Sequence, residues 1–200
     1  MSHQRANAHT DIHDIIAKRW SPRAFDATRA VEHAKLTACL EAARWAPSCF
    51  GDEPWRFIVC DRSADAASWQ RLHDCLTPKN QSWAGKAPVL LLSCAGSRFR
   101  AGGKPNRWAQ YDTGAATMSL CLQATALGLA SHQMGGFDAE KARATFAIPT
   151  EFTPMAVVAL GYQTHVGELD EGFHALETGE RSRRNMGEHF FAGAWDAPFA

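Results

Sequence analysis

The 200-residue chain lacks a net charge of either sign, because 21 lysines and arginines balance 21 aspartates and glutamates. A protein that works by non-specific attraction to nucleic acid or to anionic lipid needs an excess of positive charge. We therefore expect neither nucleic acid nor a membrane as a partner. With 46% hydrophobic and 21% charged residues, the chain also lacks the composition of a disordered protein, and its length is typical of one domain.

Long apolar runs are absent too. The sequence has no stretch near the ~18 apolar residues that a membrane span requires, and its N-terminal segment lacks the apolar core of a secretory signal. The six cysteines are scattered and include no Cys-X-X-Cys pair. The sequence therefore predicts a cytoplasmic protein with reduced, mostly buried thiols.

Familiar catalytic motifs are missing as well. The chain contains no Walker A loop, Gly-X-Gly-X-X-Gly turn, Gly-X-Ser-X-Gly elbow or His-Glu-X-X-His helix. None of its nine histidines belongs to such a zinc-binding helix motif. The sequence gives no support to a hydrolase or a metalloenzyme, and we predict no metal site.

Apolar periodicity predicts an α+β fold in one domain. Helices are expected at 11–19, 32–45, 66–76, 114–127 and 139–147, and strands at 55–60, 88–95 and 155–162. The predicted N-cap residues are Thr10 for the first helix, Asp112 or Thr113 for the fourth, and Asp138 for the last. Helix 114–127 is apolar nearly all round, which is typical of a helix buried on every side, one side of it against a second subunit.

The domain is expected to span residues 10–200, after a flexible N-terminus at 1–9. Its extension from about 167 to 200 has little core patterning, which is typical of a segment that wraps around a partner subunit.

Three segments have features of a ligand site. At 18–26, an extended chain would point Arg19, Ser21 and Arg23 the same way, which suits an anion. The loop 46–55 is stiffened by two prolines and leaves small groups and backbone amides free to face a ligand. At 133–138, two consecutive glycines let backbone N–H groups approach a flat ligand. Taken singly, each has a plainer interpretation: a basic helix end, a stiff connector and a turn.

Together, in this order and spacing, the segments resemble the FMN-dependent nitroreductase family. The resemblance covers nearly the whole chain, from about Thr10 to Trp195. The matching stretches are RWSPRAFD (19–26), EAARWAPSCFGDEPWRFIV (41–59), DTGAATMSLCLQATALGLASHQMGGFD (112–138), VVALGY (157–162) and RSRR (181–184).

This resemblance implies a homodimer with a nitroreductase-like fold, in which helices flank a mostly antiparallel central sheet and a long buried helix lies at the dimer interface. Two FMN sites would be built across that interface. The implied activity is FMN-dependent oxidation of NADH or NADPH and reduction of an electron-poor small molecule, such as a nitroaromatic, a quinone or an activated alkene. Hydride would pass through flavin N5 in a ping-pong cycle, so that no catalytic side chain is implied.

The resemblance also implies roles for the first of these segments and for the C-terminal arginines. Arg19 and Ser21 match ligands of the FMN phosphate and ribityl chain, and the backbone of Trp20 lies between them. Arg23 matches the basic residue beside flavin N1 and O2. The remaining match to the phosphate site is the pair Arg181 and Arg183, which would close over the phosphate.

The flavin ring would be lined by the other two segments. Pro47, Ser48 and Cys49 match the loop that the other subunit contributes. Gly135 and Gly136, which follow Met134, match the pair whose backbone amides lie near flavin N5 and O4. The best match to the residue at the flavin pyrimidine edge is Asn80.

Some positions depart from the family pattern. Gly51 and Glu53 stand where the family usually has Asn and Gln, so Gly51 can offer only its backbone to the flavin edge. Trp83 stands where some relatives have lysine. These changes leave open a member specialised for semialdehyde reduction, dehalogenation or flavin breakdown, or a non-catalytic flavin-binding protein.

Positive charge is concentrated in the stretch 98–107, which contains Arg98, Arg100, Lys104 and Arg107 and no acid. A preference for NADPH through its extra phosphate is one hypothesis for this patch, and a solvated loop is the other.

Overall fold

A four-stranded antiparallel sheet lies at the centre of the computed structural model, which describes residues 5–199. The strands are β1 (Trp55–Asp61), β2 (Val89–Gly96), β3 (Ala130–Met134) and β4 (Phe152–Gly161), ordered β1-β2-β4-β3 across the sheet. The helices are α1 (Asp14–Lys18), α2 (His33–Arg44), α3 (Ala66–His73), α4 (Pro78–Ala84), α5 (Ala109–Ala126), α6 (Ala139–Thr145) and α7 (His174–Thr178). The predicted α+β class is confirmed. The segment 1–9, predicted to be flexible, lies partly outside the described residues.

Strand β2 is buried along its whole length, as its apolar sequence predicts. Successive side chains of a strand point to opposite faces. Leu90 and Leu92 therefore join a core that includes α3, α4 and α6, while Val89 and Leu91 join a second core with α2 and α5. The sheet thus separates two apolar layers, and the helices of both layers position the loops of the candidate site.

Two predicted helix starts are wrong. Helix α1 begins at Asp14 rather than after Thr10, and the ring of His13 accepts the N–H of Ile15 at its N-terminus. Helix α5 begins at Ala109, so Asp112 and Thr113 lie inside the helix and do not cap it. The Asp112 carboxylate instead accepts the backbone N–H of Cys49 at 3.0 Å, so it fixes a neighbouring loop.

Helix α5 is also not buried on every side within one chain. Tyr111, Gly114 and Met118 are exposed, and Tyr111 is 77% exposed. Their spacing of three and four residues places them on one face of the helix. Its opposite face, with Ala116 and Leu120, packs in the core.

The predicted cap residue of α6 and the predicted glycine after α5 are both confirmed. The Asp138 side chain accepts the N–H of Lys141 and caps α6. Gly128, which follows α5, has a φ of 73°, a left-handed conformation that favours glycine after a helix. Helix α3 ends at His73, three residues before its predicted end at Leu76.

Elements β3, α4 and α7 were not predicted, and β4 begins earlier than expected. Strand β3 has the sequence ASHQM, which lacks an apolar alternation. Pro154 lies inside β4 opposite Cys94, where the register shifts between Ser93 and Cys94. In a sequence, a proline argues against a strand because it cannot donate a backbone hydrogen bond to a neighbouring strand. A strand can accept a proline at an irregularity such as this register shift. No helix in the described part of the chain is long and apolar enough to cross a membrane.

Candidate functional site

The segment after α1 forms an extended loop, residues 19–24, that carries the predicted anion ligands. Arg19 Nη1 donates a hydrogen bond to Ser21 Oγ at 3.2 Å, so these two side chains come together as their alternation predicts. The Arg23 guanidinium lies 6.0 Å from the centre of the Trp83 ring. Trp20 donates from Nε1 to the side-chain oxygen of Gln163 at 3.2 Å. We call residues 19–24 the arginine loop.

Side chains from distant parts of the chain hold the backbone of the arginine loop. The carboxylate of Glu177 accepts the N–H groups of Arg23 and Ala24 at 2.8 and 3.2 Å. Arg181 donates to the carbonyls of Ala17 and Arg19, at 3.0 Å each. Because α7 and the residues after it supply both groups, the C-terminal segment fixes the shape of the loop.

The ring of His132, on β3, supports the same loop from the sheet. Its Nδ1 lies 2.9 Å from the carbonyl of Pro22, and since a carbonyl only accepts, Nδ1 carries the proton. Burial lowers the pKa of His132 to about 4, and the charges of Arg23 and Arg19 act in the same direction. His132 is therefore neutral at pH 7, and the site's positive charge comes from arginines.

Arg19, Arg181 and Arg183 are gathered closely enough to disfavour one another's charge. Burial lowers the pKa of Arg19, and the charge of Arg183 lowers it further. Burial likewise lowers the pKa of Arg181, with further contributions from Arg19 and Arg183. Guanidinium groups collected against their mutual repulsion are typical of a site that binds a multiply charged anion.

The two glycines after β3 have different surroundings. An added Cβ on Gly135 would meet nothing within 4 Å, so its backbone borders open space. A Cβ on Gly136 would lie 2.6 Å from the amide nitrogen of Asn80. That amide donates to the carbonyl of Gly136 at 2.9 Å, and the backbone N–H of Thr77 donates to the same carbonyl. The structure thus brings Asn80 to the glycine turn, and Met134 is buried just before it.

The loop with Pro47, Ser48, Cys49 and Gly51 belongs to another part of the surface. The backbone N–H of Cys49 binds Asp112 near the start of α5. The arginine loop is bound instead by His132 on β3, and the neighbouring Gln133 donates to the sulfur of Cys121 near the other end of α5. Nine residues of helix span about 14 Å. One chain therefore places this loop apart from the arginine loop.

Comparison with known proteins identifies the family of the chain. The sequence profile of the Nitroreductase family matches residues 16–162. The chain belongs to the nitroreductase family.

Three similar proteins illustrate the range of this nitroreductase family. An uncharacterised 15.4 kDa protein from Mycolicibacterium smegmatis is 36% identical over 152 residues, which is 72% of this chain and 99% of that protein. An NADH dehydrogenase from Thermus thermophilus is 31% identical, over 66% of this chain and 77% of its own. A crystal structure described as an oxidoreductase containing FMN superposes with a TM-score of 0.90 at 32% identity, and 98% of each chain is covered.

Glu177, His132 and Asp52 are functional candidates that the sequence did not indicate. Asp52 is buried and accepts the backbone N–H of Arg100 at 2.8 Å. Each of these groups binds backbone far away in sequence, so no local pattern reveals them. Trp83 is buried between Phe25 and His132, and it occupies the core where some relatives have a lysine.

An open cleft of about 670 Å³ lies beside the end of α1. Trp20 is its one predicted site residue, and Tyr162, Arg29 and Lys18 also line it. Within residues 5–199, no group of three or more His, Cys, Asp and Glu side chains could hold a metal ion.

Proposed function

We propose that the protein is an FMN-dependent oxidoreductase that uses NADH or NADPH to reduce electron-poor small molecules. The observation that carries this proposal is the arginine loop, where Arg19 binds Ser21 and the charges of Arg181 and Arg183 lie close to Arg19. A phosphate monoester with nearly two negative charges is the ligand that offsets their repulsion. Family membership and a relative described as containing FMN support the same cofactor.

The residues present fit FMN at both of its ends. Arg19, Ser21 and Arg183 would hold the phosphate, while Arg181 holds the loop through the carbonyls of Ala17 and Arg19. At the other end, the open side of Gly135 leaves room for a flat ring to approach the backbone.

When bound, FMN would supply hydride transfer between the nicotinamide and the acceptor, so no nucleophilic side chain is required. The chain's own residues bind and orient. A fixed positive charge at Arg23 favours a negatively charged reduced ring. Gly135 borders the open space in which the flat ring would lie, and nicotinamide and acceptor would bind in turn against that ring, which is the arrangement that a ping-pong cycle needs. Nitroaromatics, quinones and activated alkenes are the proposed acceptors.

We further propose that the site is completed by a second copy of the chain. The exposed face of α5, with Tyr111 and Met118, is apolar. It is next to the loop that holds Cys49, because Asp112 of α5 binds the backbone N–H of Cys49. A homodimer through this face would cover it and would bring the loop 47–51 of one copy toward the arginine loop of the other. This proposal also accounts for the separation of the two loops within one chain.

Anaerobic spectroscopy tests the proposed function. The purified protein should carry yellow FMN that NADPH or NADH bleaches under nitrogen, and a nitroaromatic or quinone should then restore the colour. A protein that binds FMN but is bleached by neither donor would be a flavin-binding protein without this activity. A colourless protein that takes up no FMN would contradict the assignment of the whole site.

A further inference from the structure

Residues 97–107 form a small hairpin between β2 and α5, which we call the basic hairpin. The backbone N–H of Phe99 donates to the carbonyl of Lys104 at 2.9 Å, and Asn106 donates to Ser97 at 2.8 Å. Gly102 and Gly103 make the turn with φ of 78° and 63°, which glycine adopts without strain. The hydrogen-bonded pairs indicate a defined shape rather than a loose loop.

A buried carboxylate joins this hairpin to the loop that holds Cys49. Asp52, 6% exposed, accepts the backbone N–H of Arg100 and the side-chain amide of Asn106, at 2.8 and 3.2 Å. Arg100 reaches the carbonyl of Gly51 at 3.5 Å. These hydrogen bonds therefore join the hairpin to the loop.

The aromatic side chains of these two segments meet at the surface. The rings of Phe50 and Phe99 lie 5.9 Å apart, edge to face. Phe50 is 93% exposed, and its φ of 56° is a left-handed conformation that costs a bulky residue about 1–2 kcal/mol. A strained backbone that presents an aromatic ring to solvent is typical of a position that contacts a ligand.

Most of the charge on the hairpin is uncompensated. Arg100 lies 4.0 Å from the Asp52 carboxylate. Within the part of the chain that the structure describes, Arg98, Lys104 and Arg107 have no carboxylate within 4.0 Å. Arg98 instead donates to the carbonyl of Gly103, and Arg107 stacks on Trp108. The hairpin therefore carries three cations without a carboxylate partner, as well as one ring of the aromatic pair.

We propose that the basic hairpin binds the adenosine 2′-phosphate of NADPH and makes this the preferred electron donor. The inference rests on the proposed function and its homodimer, because the loop 47–51 of one copy would bring the attached hairpin to the rim of the flavin site formed with the other copy. An aromatic ring offers stacking area to adenine, and arginine and lysine bind a phosphate dianion. NADH lacks the 2′-phosphate, so the three cations discriminate between the two donors.

The test is a comparison of kcat/KM for NADPH and NADH with the FMN-loaded protein. We expect NADPH to be preferred by about tenfold or more, since one charge-assisted contact to phosphate is worth about 1.5–3 kcal/mol and 1.4 kcal/mol is tenfold. The triple variant Arg98→Gln, Lys104→Gln, Arg107→Gln should lose most of this preference through KM for NADPH, with NADH unchanged. Lys141→Gln, which removes an exposed lysine on α6, is the matched control and should keep the wild-type ratio.

Equal or better kcat/KM with NADH in the wild type, or an unchanged ratio in the triple variant, would overturn the proposal. A binding measurement separates this result from failure of the proposed function. By calorimetry, the FMN-loaded protein should bind adenosine 2′,5′-bisphosphate more tightly than adenosine 5′-monophosphate, and the triple variant should bind both equally. If neither donor bleaches the flavin, the function fails. If adenosine 2′,5′-bisphosphate also binds no more tightly than adenosine 5′-monophosphate, the assignment of the hairpin is contradicted independently of the result with the flavin.

Discussion

Glu177 shows how one side chain can determine the shape of a binding loop that it does not belong to. It is 5% exposed and accepts two consecutive backbone N–H groups, those of Arg23 and Ala24. A backbone donor that loses its buried partner costs about 1–3 kcal/mol. The carboxylate thus stabilises both the fold and the arginine loop.

Replacement of Glu177 by Gln keeps the size of the side chain but leaves one oxygen where two N–H groups need acceptors. We expect unfolding free energy to fall by about 1–3 kcal/mol and the FMN dissociation constant to rise about tenfold. Urea titration and fluorescence titration with FMN measure the two effects. Glu180→Gln, at a nearby exposed position, is the control, and equal behaviour of the two variants would remove Glu177 from this role.

His132 makes the stability of the protein depend on pH. Its pKa is about 4 in the folded chain and 6.5 when the ring is exposed, so the unfolded state binds more protons between these values. The neutral ring's contribution is present above pH 6.5 and is lost as pH falls. Between pH 7 and pH 5 we expect a loss of about 2 kcal/mol of unfolding free energy from this group.

The measurement is urea unfolding at several pH values for the wild type and for His132→Gln. The variant should show a shallower decline from pH 7 to pH 5, while His165→Gln, at an exposed position, should decline like the wild type. Exposed carboxylates such as Asp14 and Glu41, with pKa values of about 2, lose their contribution only as pH falls further, below about 4. Identical slopes for wild type and His132→Gln would contradict the proposed burial of a neutral ring.

At the scale of elements, the turn after β3 is set by a close approach to α4. Gly136→Ala would place a methyl group 2.6 Å from the Asn80 amide nitrogen, so either Asn80 or the turn must shift. We expect this variant to lose about 1–3 kcal/mol of stability, as overpacking typically does. Gly135→Ala should unfold like the wild type, because its methyl group enters open space.

FMN binding should reveal a defect in Gly135→Ala that its stability does not show. The open space beside Gly135 is where the flavin is proposed to lie, so Gly135→Ala should weaken FMN binding despite its normal stability. Thermal unfolding without FMN and titration with FMN give the two readouts. Normal FMN affinity in Gly135→Ala would contradict the proposed position of the ring.

The sequence predicts elements well where apolar spacing is strong, and less well where a polar group determines the outcome. Strand β2 and helix α2 follow directly from their apolar patterns. The start of α5 does not, because Asp112 resembles a cap residue but binds the distant N–H of Cys49. Strand β3 was missed because its alternate residues, such as Ser131, are polar although buried.

The candidate site was predictable to the same degree. Arg19 and Ser21 could be paired from their spacing, and the structure brings them together. The hydrogen bond from the Arg23 backbone to Glu177 could not be predicted, because it joins residues 154 positions apart. Whether these residues bind FMN stays a prediction, as does the wrapping of the segment 167–200 around a partner.

At the scale of the whole molecule, the apolar face of α5 predicts a dimer. Met118→Lys would place a charge in the proposed interface, and an unpaired buried charge is strongly unfavourable. We expect this variant to sediment as a monomer and to retain less FMN, because the loop 47–51 of the second copy is lost from the site. Val59→Lys, an exposed apolar position on β1, is the control and should sediment like the wild type.

A wild-type protein that sediments as a monomer and still binds FMN fully would contradict the two-chain site.

The neutral net charge of the chain does not bear on this question, since it is the sum of uneven regions. Arg181 and Arg183 lie close to Arg19, and acidic residues are concentrated just before them in the sequence.

The contacts between the arginine loop and the C-terminal segment also govern the order in which the protein can mature. The loop leaves the ribosome early, but Arg181, which binds the carbonyl of Ala17, follows 164 residues later. Until translation is nearly finished, the loop lacks its brace, and contacts this distant in sequence form late in folding. If FMN binds as proposed, its loading would have to wait until the chain is almost complete, and a truncated product would not take up FMN.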